Sequence, residues 1–324
     1  MTQQTNKAKL IGRRLAIKRI GMLVGGSMVL PYTSLIGCNT SKKIAIKLKN
    51  PLIDSPGMSD PHVLVEDGAC YVFTGHDVGF GVNDWVMPDW RIYRSTDLQS
   101  WKHVGTISPK DNYMGEGHTS CWAGDIVKRN GKYYWYFSNK KENAGVMVAS
   151  RPEGPYTDAI GKPLIDSFDP TIFVDDDTTP YIIYGEHTYK IARLKESMIE
   201  LDEEPKEIVI NRTTYFPNTD KNSVHRREGI YYLSCSGYYA TSKNLHGPYE
   251  TQGLIGEGFG LDTDYAHGDF FQWKDEWYHV WCKYRDRSID RTRDCFIAPV
   301  IYDENGLMRD DLSYINLKYK VNNI

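Results

Sequence analysis

Lys132-Tyr-Tyr-Trp-Tyr-Phe-Ser138, entered through the turn signal Arg129-Asn-Gly131, is one of five stretches of the same design. The others are Ala69-Cys-Tyr-Val-Phe-Thr-Gly75 after Glu66-Asp-Gly68, and Pro180-Tyr-Ile-Ile-Tyr-Gly185 after Asp175-Asp-Asp-Thr-Thr179. Two more follow: Ile230-Tyr-Tyr-Leu-Ser-Cys-Ser236 after Arg227-Glu-Gly229, and Glu276-Trp-Tyr-His-Val-Trp-Cys282 after Lys274-Asp275. Aromatic and β-branched residues favour strands, and Gly or Asp ahead of them favours tight hairpin turns. The hairpins recur roughly every 45–60 residues, the period of a four-stranded propeller blade.

Third and fourth strands can be read outward from several hairpins. Arg91–Asp97 leads to Trp101–Val104, Gly145–Ser150 to Gly154–Tyr156, and Tyr239–Ser242 to Gly247–Tyr249. No long amphipathic stretch reads as a helix; Leu194–Met198 is the best candidate for a short helical turn. The fold class is therefore all-β, a five-bladed β-propeller in one domain over residues 50–324. A β-sandwich or two small β domains fit less well, because sandwich strands do not repeat in this blocked way.

Composition agrees with that architecture. Aromatic residues make up 13% of the chain, with 23 Tyr and 8 Trp, which suits strands and also clefts that stack on sugars. The formal charge of −3 is unevenly spread: the residues before Cys38 hold six basic and no acidic side chains. The remainder has 33 basic and 42 acidic residues, a balance of −9. Such a domain has no general attraction for nucleic acid or anionic membranes, so neutral sugars suit it better.

Residues 1–38 read as a targeting segment rather than part of the fold. A basic start is followed by an apolar run from Ile20 to Leu30, too short to span a bilayer as a helix. It ends in Leu35-Ile36-Gly37-Cys38, which resembles the lipobox of bacterial lipoproteins, whose cysteine is acylated. Arg13-Arg14 loosely resembles a twin-arginine signal, and an ordinary Sec signal is equally compatible. The expected location is the bacterial cell envelope, periplasmic side or outer membrane, with Cys38 as the only membrane contact and residues 39–49 as a linker. The other five cysteines show no CxxC pair and no Cys/His metal spacing, and most sit within apolar strand-like runs. Buried free thiols are expected, with room for one disulfide. No dimerisation signal stands out, so a monomer is the default.

Several segments, in order, resemble glycoside hydrolase family 43, from about Asn50 to Leu317. Ser59-Asp-Pro-His-Val-Leu-Val65 resembles the strand that bears that family's general base. His118-Thr-Ser-Cys-Trp-Ala-Gly-Asp-Ile126 resembles its second-blade entry, with Gly124 where the family usually has proline. Ser150–Tyr156 leads to Asp169-Pro-Thr-Ile-Phe-Val-Asp-Asp-Asp177, close to the most specific signature. Ala266-His-Gly268 and the stretch from Arg293 to Gly306 resemble the fifth blade. The resemblance implies an inverting hydrolase acting on oligo- or polysaccharide as an exo-acting or debranching enzyme. Arabinofuranosides, xylosides and galactofuranosides are the implied substrates.

Inversion needs one carboxylate to activate water and one carboxylic acid to protonate the leaving oxygen. The resemblance makes Asp60 the base and Asp169 the carboxylate that orients the acid and raises its pKa. Bland readings of both remain: a capping Asp before Pro61 and an Asx-Pro turn. Asp175, Asp176 and Asp177 read as a solvated hairpin turn. The acid position, usually Glu in the family, falls on Asp220, one methylene shorter and next to Lys221, whose charge favours the ionised form. Glu186, Glu116 and His225 are alternative donors. A histidine acid would suit the anhydrogalactosidase-type relatives of the fold.

Arg293 matches a family arginine that reaches the bound sugar, and a surface arginine is the bland reading. His267 matches an axial histidine that in many relatives helps hold calcium or a similar ion; a buried, satisfied histidine is nearly as good a reading. No cofactor is otherwise required. His62, His76, Asp77 and Trp122 could line the pocket, although a strand Trp is commonly core. The Asp77–Arg91 insert, with Trp85 and Trp90, and the Gly253–Tyr265 loop are expected walls. The rival reading is a carbohydrate-binding lipoprotein that kept the cleft and lost turnover.

Overall fold

The computed structural model describes residues 48–79, 85–217, 221–256, 267–285 and 291–315. The five aromatic stretches are all strands, each the second of its blade: Ala69–His76, Lys132–Asn139, Pro180–Tyr184, Ile230–Cys235 and Glu276–Tyr284. Each pairs antiparallel with an innermost strand that precedes it across the expected turn. Those inner strands are Met58–Glu66, Cys121–Arg129, Thr171–Val174, Asn222–Arg227 and Gly268–Trp273. The inner strands contact one another in a closed ring, and four-stranded sheets radiate from them in chain order. Blade 4 has a fifth strand, Ile210–Asn211, lying parallel to the outer strand Tyr249–Leu254.

The aromatic runs are unbroken because both faces of each second strand are buried. Tyr133, Trp135 and Phe137 pack into the layer shared with blade 1, while Tyr134 and Tyr136 enter the layer shared with blade 3. A strand covered on both sides does not need polar alternation. The core is accordingly a set of layers between successive blades, including the one between blades 5 and 1. Blades 2 and 4 share a further device. Tyr156 and Tyr249, each after Gly-Pro, donate their hydroxyls to the carbonyls of Pro152 and Leu245 at 3.0 Å.

Three expectations need correction. Leu194–Met198 is a hydrogen-bonded turn closed by Met198 N–H on the Lys195 carbonyl. The described helical pieces are single 3-10 turns at Pro109–Asp111 and Leu312–Tyr314. Trp90 is fully buried, its indole donating to the Trp122 carbonyl at 2.8 Å, so it belongs to the core and not to a pocket wall. Asp175 is also more than a solvated turn residue: it accepts from the Tyr231 hydroxyl at 2.7 Å and so ties blade 3 to blade 4.

Polar side chains stitch the inner ring. His62 of blade 1 lies 3.4 Å from Asp125 of blade 2, and Asp125 accepts from the Ile172 N–H of blade 3 at 2.7 Å. Thr171 donates to the Asn222 carbonyl of blade 4 at 2.6 Å, and Ser223 donates to Asp269 of blade 5 at 3.2 Å. Asp269 then accepts from Val63 N–H of blade 1 at 3.0 Å, which closes the circuit. The segment before the first blade fastens to the last: Asn50 exchanges bonds with the Ile297 carbonyl and N–H at 2.9 and 2.8 Å.

Candidate active site

Asp60 and Asp169 both precede proline, and both adopt left-handed backbone, at φ 48° and 56°. A non-glycine residue there is strained, and such strain persists only where surrounding structure enforces it. At Asp60 the enforcement is a register shift of the inner strand between Ser59 and His62, which turns the carboxylate toward the axis. Its N–H donates to Cys282 Sγ at 3.4 Å. Gly75 faces it, where a Cβ would lie 2.1 Å from the Met87 methyl and 3.4 Å from Asp60 Oδ2. Asp169 is fixed by its N–H, which donates to Ser138 Oγ at 2.8 Å.

The two carboxylates meet on opposite nitrogens of one imidazole. His267 Nδ1 is 2.9 Å from Asp60 Oδ1, and Nε2 is 3.9 Å from Asp169 Oδ2. Residues from blades 1, 3 and 5 thus converge on the axis. Asp220 lies outside the described residues, as do Phe80–Asp84 of the insert and most of the Gly253–Tyr265 loop.

Arg293, first residue of the third strand of blade 5, is 4% exposed and held between two carboxylates. Its Nη1 and Nη2 donate to Asp60 Oδ1 and Oδ2 at 2.5 and 3.0 Å. Nε and Nη2 donate to Asp77 Oδ2 and Oδ1, both at 2.9 Å. The guanidinium therefore buttresses the Asp60 carboxylate, with Asp77 behind it. Burial pushes the Asp60 pKa up, but Arg293 and His267 more than offset this and hold it far below the usual carboxylate range. Asp77, with burial the larger influence, is raised instead.

The other expected pocket residues occupy three kinds of place. His62 is fully buried in the inner ring, with Nδ1 3.4 Å from Asp125 and 3.8 Å from Asp269, and is not a wall. His76 is part-buried and paired with Asp89 at 3.1 Å, and Arg91 holds the same carboxylate at 3.1 Å. Trp122, second residue of the inner strand of blade 2, meets Trp85 edge-on, with centroids 5.5 Å apart; the Arg291 guanidinium lies 4.0 Å above Trp85. Among the alternative acids, Glu186 is paired with Lys141 at 2.6 Å, and Glu116 is exposed. His225 is caged by Tyr232, Phe270, Trp277 and Tyr302, and burial pushes its pKa down to about 3. Near neutral pH it is the neutral imidazole, without the imidazolium proton that a general acid would give.

Asp125, Asp269 and Ser138 also shape the site, and sequence reading did not single them out; Lys221 entered that reading only as the neighbour of Asp220. For the first three the signal was weak, a polar residue within a strand that otherwise reads as core. Lys221 is buried, and its Nζ donates to Thr171 Oγ1 at 2.5 Å.

Paired carboxylates at one mouth of a five-bladed propeller are the equipment of a glycosidase. The family model for Glycosyl hydrolases family 43 matches residues 48–308, and the chain belongs to that family, whose mechanism is inverting. A xylosidase/arabinosidase of Bacteroides ovatus is 29% identical over 71% of this chain and 87% of its own length. A β-D-galactofuranosidase of Aspergillus niger is 24% identical, covering 82% and 83% of the two chains. An arabinoxylan arabinofuranohydrolase of Paenibacillus polymyxa is 29% identical over 72% of this chain, which spans 46% of that protein. The GH43_1 enzyme of Xanthomonas citri, solved with xylotriose, has the same fold: TM-score 0.69, 24% identity, covering 80% of this chain and 92% of that one.

Proposed function

We propose that this glycosidase removes terminal or branching pentose or furanose units, with arabinofuranosides, xylosides and galactofuranosides as the substrate classes. The observation that carries the reading is the placement of Asp60 and Asp169 on the two nitrogens of His267. Relatives named for xylosides, arabinofuranosides and galactofuranosides support the choice of sugars.

In this reading a water attacks the anomeric carbon and gives its proton to Asp60, while the acid's proton passes to the departing oxygen. Asp60 is ionised in the resting state, as a base must be. Each carboxylate oxygen has two acceptor positions, and Oδ2 accepts from Arg293 Nη2; its second position serves the water. Asp169 orients the acid, which we assign to Asp220. Trp122 and Trp85 offer apolar ring faces to sugar C–H surfaces. The chain is exported and anchored through an acylated Cys38; labelled fatty acid should enter the wild type and not Cys38→Ala.

The direct test is a panel of nitrophenyl arabinofuranosides, galactofuranosides and xylosides with wild type, Asp60→Asn and Asp220→Asn. Wild type should turn over at least one substrate and both variants should lose it. Three equally inert proteins that still bind sugar would replace this reading with the binding-lipoprotein one. Activity lost in Asp60→Asn and kept in Asp220→Asn would move the acid elsewhere.

A further inference from the structure

Cys282, on the second strand of blade 5, stands directly opposite Cys295 on the third. Cys282 donates its N–H to the His267 carbonyl at 2.9 Å, on the side away from Cys295. The Cys295 carbonyl accepts from Leu52 N–H at 2.7 Å, on the side away from Cys282. The two therefore form a non-hydrogen-bonded pair, the closer of the two kinds in an antiparallel ladder, with Cα atoms about 4.5 Å apart. A disulfide spans Cα separations of about 4.4–6.8 Å. Both side chains leave the sheet on one face, toward the inner strand of blade 1. There Cys282 Sγ accepts from Asp60 N–H at 3.4 Å, and Cys295 Sγ–H donates to the Met58 carbonyl at 3.1 Å. None of the other described cysteines stands opposite a cysteine: Cys70 faces Val65 and Ser95, Cys121 faces Asn139, and Cys235 faces Asn222 and Tyr238.

We propose that Cys282 and Cys295 close into a cross-strand disulfide when the chain folds under oxidising conditions, bracing the hairpin that carries Arg293. The structure shows the dithiol form. Each cysteine turns about a single side-chain torsion, and rotating the sulfurs from Asp60 and Met58 toward each other joins them with the ladder left in register. Two S–H bonds break and one S–S bond forms. The two protons and two electrons pass to the disulfide of glutathione or of a thiol-oxidising protein, which leaves as two thiols. The exported location proposed above supplies such an oxidant. Both thiols are buried and burial pushes their pKa values up, so the thiolate that exchange requires is scarce in the closed ring. The bond accordingly forms while blade 5 is still open, and afterwards it resists reduction. Arg293 lies two residues before Cys295 and grips both oxygens of Asp60, so the brace steadies the clamp on that carboxylate. Formation of the bond is independent of the role given to Asp60; its bearing on catalysis rests on that role.

The purified full chain is unfolded and refolded either in a mixed glutathione buffer or in dithiothreitol, and the folded fraction is isolated by size exclusion. It is then alkylated under denaturing conditions and digested with trypsin without reduction. From the glutathione sample, peptide Asp275–Lys283 should appear joined to Asp294–Arg309, two hydrogens lighter than the separate thiol peptides, and reduction should part them. The oxidised wild type should melt roughly 4–12 °C above the reduced one, the usual worth of a disulfide that closes a short loop. Cys295→Ala should melt alike in both buffers. Cys282 and Cys295 both alkylated in the glutathione sample, or either joined to a different cysteine, would overturn the proposal. So would a bond that leaves melting unchanged, since it braces nothing. The wild-type peptide map decides even if Cys295→Ala does not fold. Neither measurement needs turnover, so an inert protein in the sugar panel leaves this test standing, and a missing bond leaves the glycosidase reading untouched.

Discussion

Asp60 has both carboxylate oxygens tied to Arg293, and this governs how it titrates. Its pKa is depressed in the folded protein, so its contribution to stability is complete above the unfolded value of 3.8 and is lost only as pH falls through the lower folded value. The acidic limb of kcat/KM in the wild type therefore belongs to another group or to unfolding. Replacing Arg293 with Met removes the leading counter-charge, and an ionisation of Asp60 should move up into the acidic limb; an unchanged pH profile would contradict this. Asp60→Asn should reduce kcat/KM by about 10²–10⁴-fold, the usual worth of a positioned acid or base, with an unaltered circular dichroism spectrum. His225 works in the opposite sense. It stays neutral in the fold down to about pH 3, whereas the unfolded chain takes up its proton near 6.5, so stability falls as pH drops between those values. Urea melts at pH 6.5 and 4.5 should show wild type losing about 2–3 kcal/mol more than His225→Phe.

Gly124 shows what a local departure from the family pattern means at the level of a strand. It lies at a register shift between Trp122 and Gly124 itself, and a Cβ there would sit 2.2 Å from the Tyr136 carbonyl and 2.5 Å from the Trp135 ring. The backbone carbonyl cannot swing aside without breaking the pairing of the first two strands of blade 2. Gly124→Ala should cost about 1–3 kcal/mol in a denaturant melt, and a proline there more. The second strands were the most legible elements, since burial on both faces writes an aromatic run into the sequence. The short third and fourth strands of blade 3, Lys190–Arg193 and Lys206–Glu207, were not, because they are too brief and too polar to stand out from loop.

The ring is one closed object, and its stability depends on the joint between its two ends as well as on each blade. Asn50 supplies part of that joint through paired bonds to Ile297. Asn50→Ala should remove about 1–3 kcal/mol, read as a lower melting point with activity per folded molecule unchanged. A loss confined to activity would show that the N-terminal segment serves the site and not the closure.

The turn chemistry and the five aromatic hairpins were sufficient for the all-β class and the blade count, because those signals are local: a strand buried on both sides needs apolar residues wherever it lies. Asp60 and Asp169 were legible too, through the short segments around them that resemble the family. The partners of those residues were settled only in three dimensions. Arg293 read as a hand for the sugar is a clamp on Asp60; His62 read as a wall belongs to the inner ring; Lys221 read as a neighbour of Asp220 reaches into the axis. Each of these contacts joins one blade to another, and no local pattern records which buried charge will face which once the ring closes.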